Sequence, residues 1–183
     1  MHPRLDQFIN TMNNILAAAQ GNEALILKQG ETALARLVAH DDWLADEHAR
    51  EHPEFYQQYL LYCCPQERFS VVSFVWGPGQ RTPIHDHTVW GLIGMLRGAE
   101  DETAYTLDQA GLHLGAKTRL KPGEVAAVSP AIGDIHQVAN SHQDQVSISI
   151  HVYGADIGKV SRHVFNPDDG TAKTFISGYA NRS

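Results

Sequence analysis

Residues 74–98 read FVWGPGQRTPIHDHTVWGLIGMLRG. Short apolar and β-branched runs alternate here with Gly and Pro, the pattern of strands separated by tight turns rather than of helices. Gly77-Pro78-Gly79 is turn chemistry, with proline supplying a fixed φ and glycine tolerating a positive one. Within the stretch, His85-Asp86-His87 sets two imidazoles at i and i+2. On a strand, where side chains alternate, both point to one face and form a chelating pair. A single His-x-His is weak evidence, because surface histidines often fall at that spacing by accident.

Working outward, the runs Arg68 to Trp76, Val125 to Val128, Val146 to Tyr153 and Ser161 to Phe165 carry the same signal. Lys121-Pro122-Gly123 and Pro167-Asp168-Asp169-Gly170 are further turns. Upstream the period changes. Leu5, Phe8, Ile9, Met12, Ile15 and Leu16 follow helical spacing, with Gly21 as the stop, and a second helix is expected over Glu23 to Ala39, interrupted at Gly30. Asp41 to Glu54 is rich in Asp, Glu and His and reads as a solvated helix face or loop. Many short strands without long helices between them predict a mainly β protein, an antiparallel sandwich or barrel with the N-terminal helices packed outside. We expect one domain over residues 1–183, helical over 1–55 and β over 56–183.

The 183 residues and 20.2 kDa suit one domain, and 43% apolar against 19% charged residues can bury a real core. With 14 Lys+Arg against 21 Asp+Glu, the net charge of −7 lacks the positive field that holds a phosphate backbone, so nucleic acid is not expected as a partner. The first residues lack the apolar core of a secretion signal, and the longest apolar stretches are too short to span a bilayer. The neighbouring Cys63 and Cys64 point to a reducing compartment, and a cytoplasmic location is expected. Neither shows a local base partner, so both are expected as half-buried strand residues. Eleven histidines are the one compositional oddity.

Two later segments bear on them. Pro130-x2-Gly133-x2-His136-x3-Asn140 supplies another isolated histidine among turn residues. In Ser149-Ile150-His151-Val152-Tyr153, strict alternation sends Ser149, His151 and Tyr153 to one face of a strand. Periodicity leaves two readings open, a polar outer face and an interior hydrogen-bonded relay.

The string Gly79-x5-His85-x-His87-x3-Gly91-x6-Gly98, followed by the His136 segment, resembles the paired motifs of the cupin superfamily, whose jelly-roll β-barrel brings such histidines onto one metal. With Ser-x-His-x-Tyr added, it resembles the thiol dioxygenases of the cysteine dioxygenase family. The likeness runs from Tyr56 to about Tyr153 and is most specific in YQQYLL, residues 74–98 and SIHVYG. It implies that His85, His87 and His136 bind Fe(II), that Ser149, His151 and Tyr153 form an outer-sphere triad, and that a small thiol and O2 are converted to a sulfinate.

Two departures are informative. Gly91 stands where cupins commonly carry a glutamate ligand, leaving a neutral three-histidine face, and no cysteine is there to crosslink with the tyrosine as in animal members. Gln58 replaces an arginine that clamps the substrate carboxylate, and Arg162 follows the triad, as in the bacterial 3-mercaptopropionate dioxygenases. The resemblance therefore implies 3-mercaptopropionate as preferred substrate, with Gln58 and Arg162 as its carboxylate partners; L-cysteine is the first alternative. A second is a non-oxygenase metal cupin, either a lyase or isomerase or a metabolite-binding module. Read from the residues, Arg162 is equally a surface ion-pair residue. His40, His48, His52, His113, His142 and His163 read as surface or structural groups, and Trp76 and Trp90 as core or pocket wall.

Overall fold

Two helices precede all the strands in the computed structural model, which describes residues 1–182. Helix α1 (Pro3–Ala19) opens with proline in its first turn and a cap from the His2 ring to the Arg4 amide; it ends where Gln20 turns left-handed just before Gly21. Helix α2 (Glu23–Val38) is capped by Asn22, whose side chain accepts from the Leu25 amide. The expected interruption at Gly30 does not occur. A Cβ there would stand 2.6 Å from Leu92 Cδ1, so the glycine lets an unbroken helix lie close on the sheet beneath.

Eleven strands follow: β1 (Gln57–Cys63), β2 (Ser70–Trp76), β3 (Ile84–His85), β4 (Gly91–Arg97), β5 (Glu100–Asp108), β6 (Gly111–Leu120), β7 (Val125–Val128), β8 (Ile135–Asn140), β9 (Ser147–Tyr153), β10 (Arg162–Phe165) and β11 (Ala172–Phe175). They form two antiparallel sheets, β1-β2-β9-β4-β7 and β11-β10-β3-β8-β5-β6. This is the mainly β, two-sheet architecture expected, with the helices outside.

Each face of the first sheet has a different neighbour. Val71 and Val75 of β2, Leu92 of β4, and Ile148, Ile150 and Val152 of β9 pack with α1 and α2 in one hydrophobic core. The opposite face sends Val72, Phe74, Trp76 and Tyr153 into the space between the sheets, where they meet Val138 of β8. Both β2 and β9 are buried along their whole length, which is why they read as apolar runs.

Three local expectations need correction. Asp41 to Glu54 is not simply solvated, because Trp43 and Leu44 are buried and the Trp43 indole donates to the Leu37 carbonyl at 3.2 Å. The β5–β6 hairpin has no counterpart among the apolar runs, since most of β6 is exposed and polar. Cys63 is half-buried as expected, whereas Cys64 is fully buried. Among the described residues no helix is long and apolar enough to cross a membrane.

Candidate active site

Register brings the histidines together. His85 on β3 pairs directly with His136 on β8, and their ring centroids lie 4.8 Å apart. His87 lies beyond the end of β3, so strand alternation is not what aligns it. Asp134 does so. Its carboxylate accepts from the backbone amides of His87 and Thr88 and from His87 Nδ1 at 2.9 Å, closing the loop over the site. One nitrogen from each of the three buried rings lies within 4.8 Å of the others.

The outer nitrogens are all held. His85 Nδ1 faces the Pro83 carbonyl at 3.0 Å, and His136 Nδ1 faces Glu102 Oε1 at 2.7 Å. Nδ1 of each ring is therefore the donor, and the Nε2 lone pairs converge. Burial, followed by repulsion from neighbouring rings, pushes His85 and His87 well below their ordinary pKa, so they stay neutral. His87 Nε2 is buried with no hydrogen-bond partner among the described residues. Three oriented imidazoles, one of them with a buried orphan nitrogen, fit a metal ion that accepts nitrogen ligands.

Ser149, His151 and Tyr153 point inward, on the face of β9 opposite the helices. Ser149 Oγ lies 2.8 Å from His151 Nε2, and His151 Nδ1 lies 2.8 Å from the Tyr153 hydroxyl. The Tyr153 ring stacks on His87 with centroids 5.3 Å apart, which carries the relay to the histidine cluster. Burial keeps His151 neutral and raises the Tyr153 phenol, so the hydroxyl keeps its proton. Behind Ser149 lies Glu100 on β5, which shares a hydrogen bond with Ser149 Oγ, while the Trp76 indole donates to the same oxygen at 3.1 Å.

A cavity of about 240 Å³ opens beside His85, His136 and Tyr153. Arg162 on β10 forms part of its wall and is not a surface ion-pair residue: it is 3% exposed, and its Nη2 donates to Ser177 Oγ at 2.7 Å. The guanidinium lies 4.7 Å over the Phe175 ring, and its Nε has no partner among the described residues. Gln58 lines the same cavity, but its amide nitrogen is already engaged by Ser177 Oγ and the Gly178 carbonyl. Trp76 is cavity wall, Trp90 packs in the helix-side core, and His163 is held by Asp86 outside the cluster.

Reading the sequence missed Glu100, Glu102, Asp134, Phe175 and Ser177. Asp134 carried a faint signal, two positions before His136; the others carried none.

The family model described as cysteine dioxygenase type I matches residues 51–166, more than half of the chain. The chain belongs to the cysteine dioxygenase type I family. The family match includes every ligand, relay and cavity residue predicted from sequence, while Phe175 and Ser177 lie beyond it. Cysteine dioxygenase type 1 of Danio rerio is 29% identical over 91 residues, 47% of this chain and 45% of that protein, so the chain spans less than half the length of this curated relative. Among solved structures, an uncharacterized conserved protein with a double-stranded β-helix domain from Klebsiella pneumoniae has a TM-score of 0.50 at 18% identity, covering 75% of this chain and 93% of that one. A cupin superfamily protein from Desulfitobacterium hafniense has a TM-score of 0.44 at 20% identity, covering 67% and 88%. The Klebsiella pneumoniae likeness is one of fold, a double-stranded β-helix.

Proposed function

We propose that this chain is an Fe(II)-dependent thiol dioxygenase that converts a small mercapto-carboxylate, 3-mercaptopropionate in preference to L-cysteine, into its sulfinate. The overall change balances without an added reductant: RSH + O2 gives RSO2H, with both oxygen atoms ending on sulfur and four electrons leaving it. His85, His87 and His136 would hold the iron, which supplies a common binding point for thiolate and dioxygen.

The single observation that carries the substrate assignment is the charge inventory of the cavity. Its wall holds one guanidinium and no Asp or Glu among the described residues. A carboxylate entering it meets Arg162, whose Nε lacks a partner, and gains a charge-assisted hydrogen bond in a buried setting. The ammonium of cysteine would meet the same cation with no anion to offset it, and burying an unpaired charge is costly. Gln58 acts through Ser177, fixing the hydroxyl that also receives Arg162 Nη2.

Tyr153 stands over the reacting end, where His151 orients its hydroxyl. Phe74, Trp76 and Val138 give that end apolar walls that keep water out. The acid product keeps the carboxylate that Arg162 binds. A thiol substrate and two free cysteines suit a reducing cytosol, where we place the protein.

The test is oxygen uptake with sulfinate detection on iron-loaded protein, using 3-mercaptopropionate, L-cysteine and a thiol without a carboxylate. Higher kcat/KM for 3-mercaptopropionate supports the assignment. Equal or better efficiency with L-cysteine overturns the preference, and no sulfinate from any thiol overturns the reaction.

A further inference from the structure

The Ser149–His151–Tyr153 relay does not end at Ser149. Glu100 is 2% exposed and its carboxyl meets Ser149 Oγ directly, 49 residues away in sequence. Ser149 Oγ also receives the Trp76 indole N–H, which is only a donor. One serine hydroxyl hydrogen must therefore serve either Glu100 or His151, and that choice propagates along the chain.

Counting donors gives two arrangements. When Glu100 is ionised it only accepts, so Ser149 donates to it. Ser149 then receives His151 Nε2–H, His151 Nδ1 becomes the acceptor, and the Tyr153 hydroxyl is spent on His151. When Glu100 carries a proton it donates to Ser149, Ser149 donates to His151 Nε2, and His151 Nδ1–H donates to Tyr153. The Tyr153 hydrogen is then free to point into the cavity.

We propose that Glu100 is a positioning residue whose proton sets the direction of the whole relay, turning Tyr153 into a hydrogen-bond donor toward the substrate cavity only while Glu100 is a neutral acid.

The surroundings support a carboxyl that changes state near neutrality. Burial pushes Glu100 up to about 7, against the Ser149 hydroxyl and the nearby Trp76 indole dipole, which pull it down. The titratable groups facing it are Glu102 on its own strand and His136 of β8. Both share with Glu100 a small cavity of about 10 Å³, also lined by Ile93 and Leu120. That is room for about one water. Glu102 in turn accepts from Thr118 on the exposed β6 strand.

The functional consequence rests on the dioxygenase reading, but the direction of the relay is observable without turnover. The experiment is ¹⁵N spectroscopy of imidazole tautomers on the full chain loaded with diamagnetic Zn(II), between pH 5.5 and 8.5, with His151 identified by loss of its signals in His151→Gln. In the wild type, His151 should pass from the Nδ1–H to the Nε2–H tautomer as pH rises, with a midpoint near 7. Glu100→Gln and Glu100→Met should each hold one tautomer throughout, because neither side chain titrates. A single wild-type tautomer across this range overturns the proposal whether or not the variants fold, and so does a switch that survives in a folded variant. On the iron-loaded enzyme, kcat should fall at least tenfold through the same midpoint in the wild type, and Glu100→Gln should lose that limb. Persistence of the limb in the variant would overturn the role in turnover, while absence of any sulfinate with an intact tautomer switch would fault the reaction assignment alone.

Discussion

Gly91 and Tyr153 face each other across β4 and β9, and a Cβ built on Gly91 would stand 2.9 Å from both Cδ1 and Cε1 of the Tyr153 ring. The missing side chain is the space in which the ring stacks on His87. Gly91→Ala should therefore displace the phenol. Overpacking at such a contact typically costs about 1–3 kcal/mol. Thermal unfolding should show a lowered Tm, and sulfinate formation should fall while bound metal stays; an unchanged Tm and rate would mean the ring has room to spare.

Removing one imidazole should release the metal, because two cannot hold a labile divalent ion well. We expect His136→Ala to lose most bound iron, measured by elemental analysis. Full occupancy would exclude His136 as a ligand. Glu102→Ala leaves the imidazoles in place but frees His136 to turn, and loss of such a hydrogen-bond partner typically weakens metal affinity by about 10–100-fold. Competition with a chromophoric chelator checks this without any turnover.

Arg162→Ala should lower kcat/KM for 3-mercaptopropionate by roughly 10–100-fold, the range expected for a lost hydrogen bond to a charged group. A thiol without a carboxylate should be affected far less. Equal losses for both would show that Arg162 shapes the cavity and does not clamp the substrate.

Tyr153→Phe removes a hydroxyl and leaves the ring stack on His87. Metal content should be unchanged, while turnover slows on the order of 10²-fold, as is typical when an oriented donor at a developing charge is lost. Uptake of oxygen without matching sulfinate would indicate uncoupling. Wild-type rate and coupling would count against the relay.

Glu100 should make stability depend on pH. Its folded-state pKa, about 7, lies above the ordinary value of 4.5, so the folded chain binds the extra proton between these two values. Stability contributed by the neutral acid is complete below pH 4.5 and is lost as pH rises to 7 and beyond. The difference amounts to roughly 3 kcal/mol. Chemical denaturation at pH 4.5 and pH 8 should show the wild type losing about this much relative to Glu100→Gln; a pH-independent difference would mean that Glu100 does not change protonation on folding.

Much of the molecule was legible in the linear chain because it is encoded locally. Strand alternation put Ser149, His151 and Tyr153 on one face, helical spacing marked α1, and turn residues marked the ends of the strands they bound. The histidine motifs could be recognised because His85, His87 and His136 sit in stretches whose residue types and spacings are themselves distinctive. What tertiary structure alone decided was which side of β9 faces inward and which distant groups meet there. Asp134 lies 47 residues from His87, Glu102 lies 34 from His136, and Glu100 lies 49 from Ser149. Ser177 comes 119 residues after Gln58. Local periodicity carries no information on such pairs, because strand register and sheet order bring them together only when the barrel closes. Gly30 teaches the same lesson in the helices. Propensity marks it as a break, yet the close approach of Leu92 makes its missing side chain a condition of packing, and packing outweighs the roughly 1 kcal/mol that glycine costs a helix.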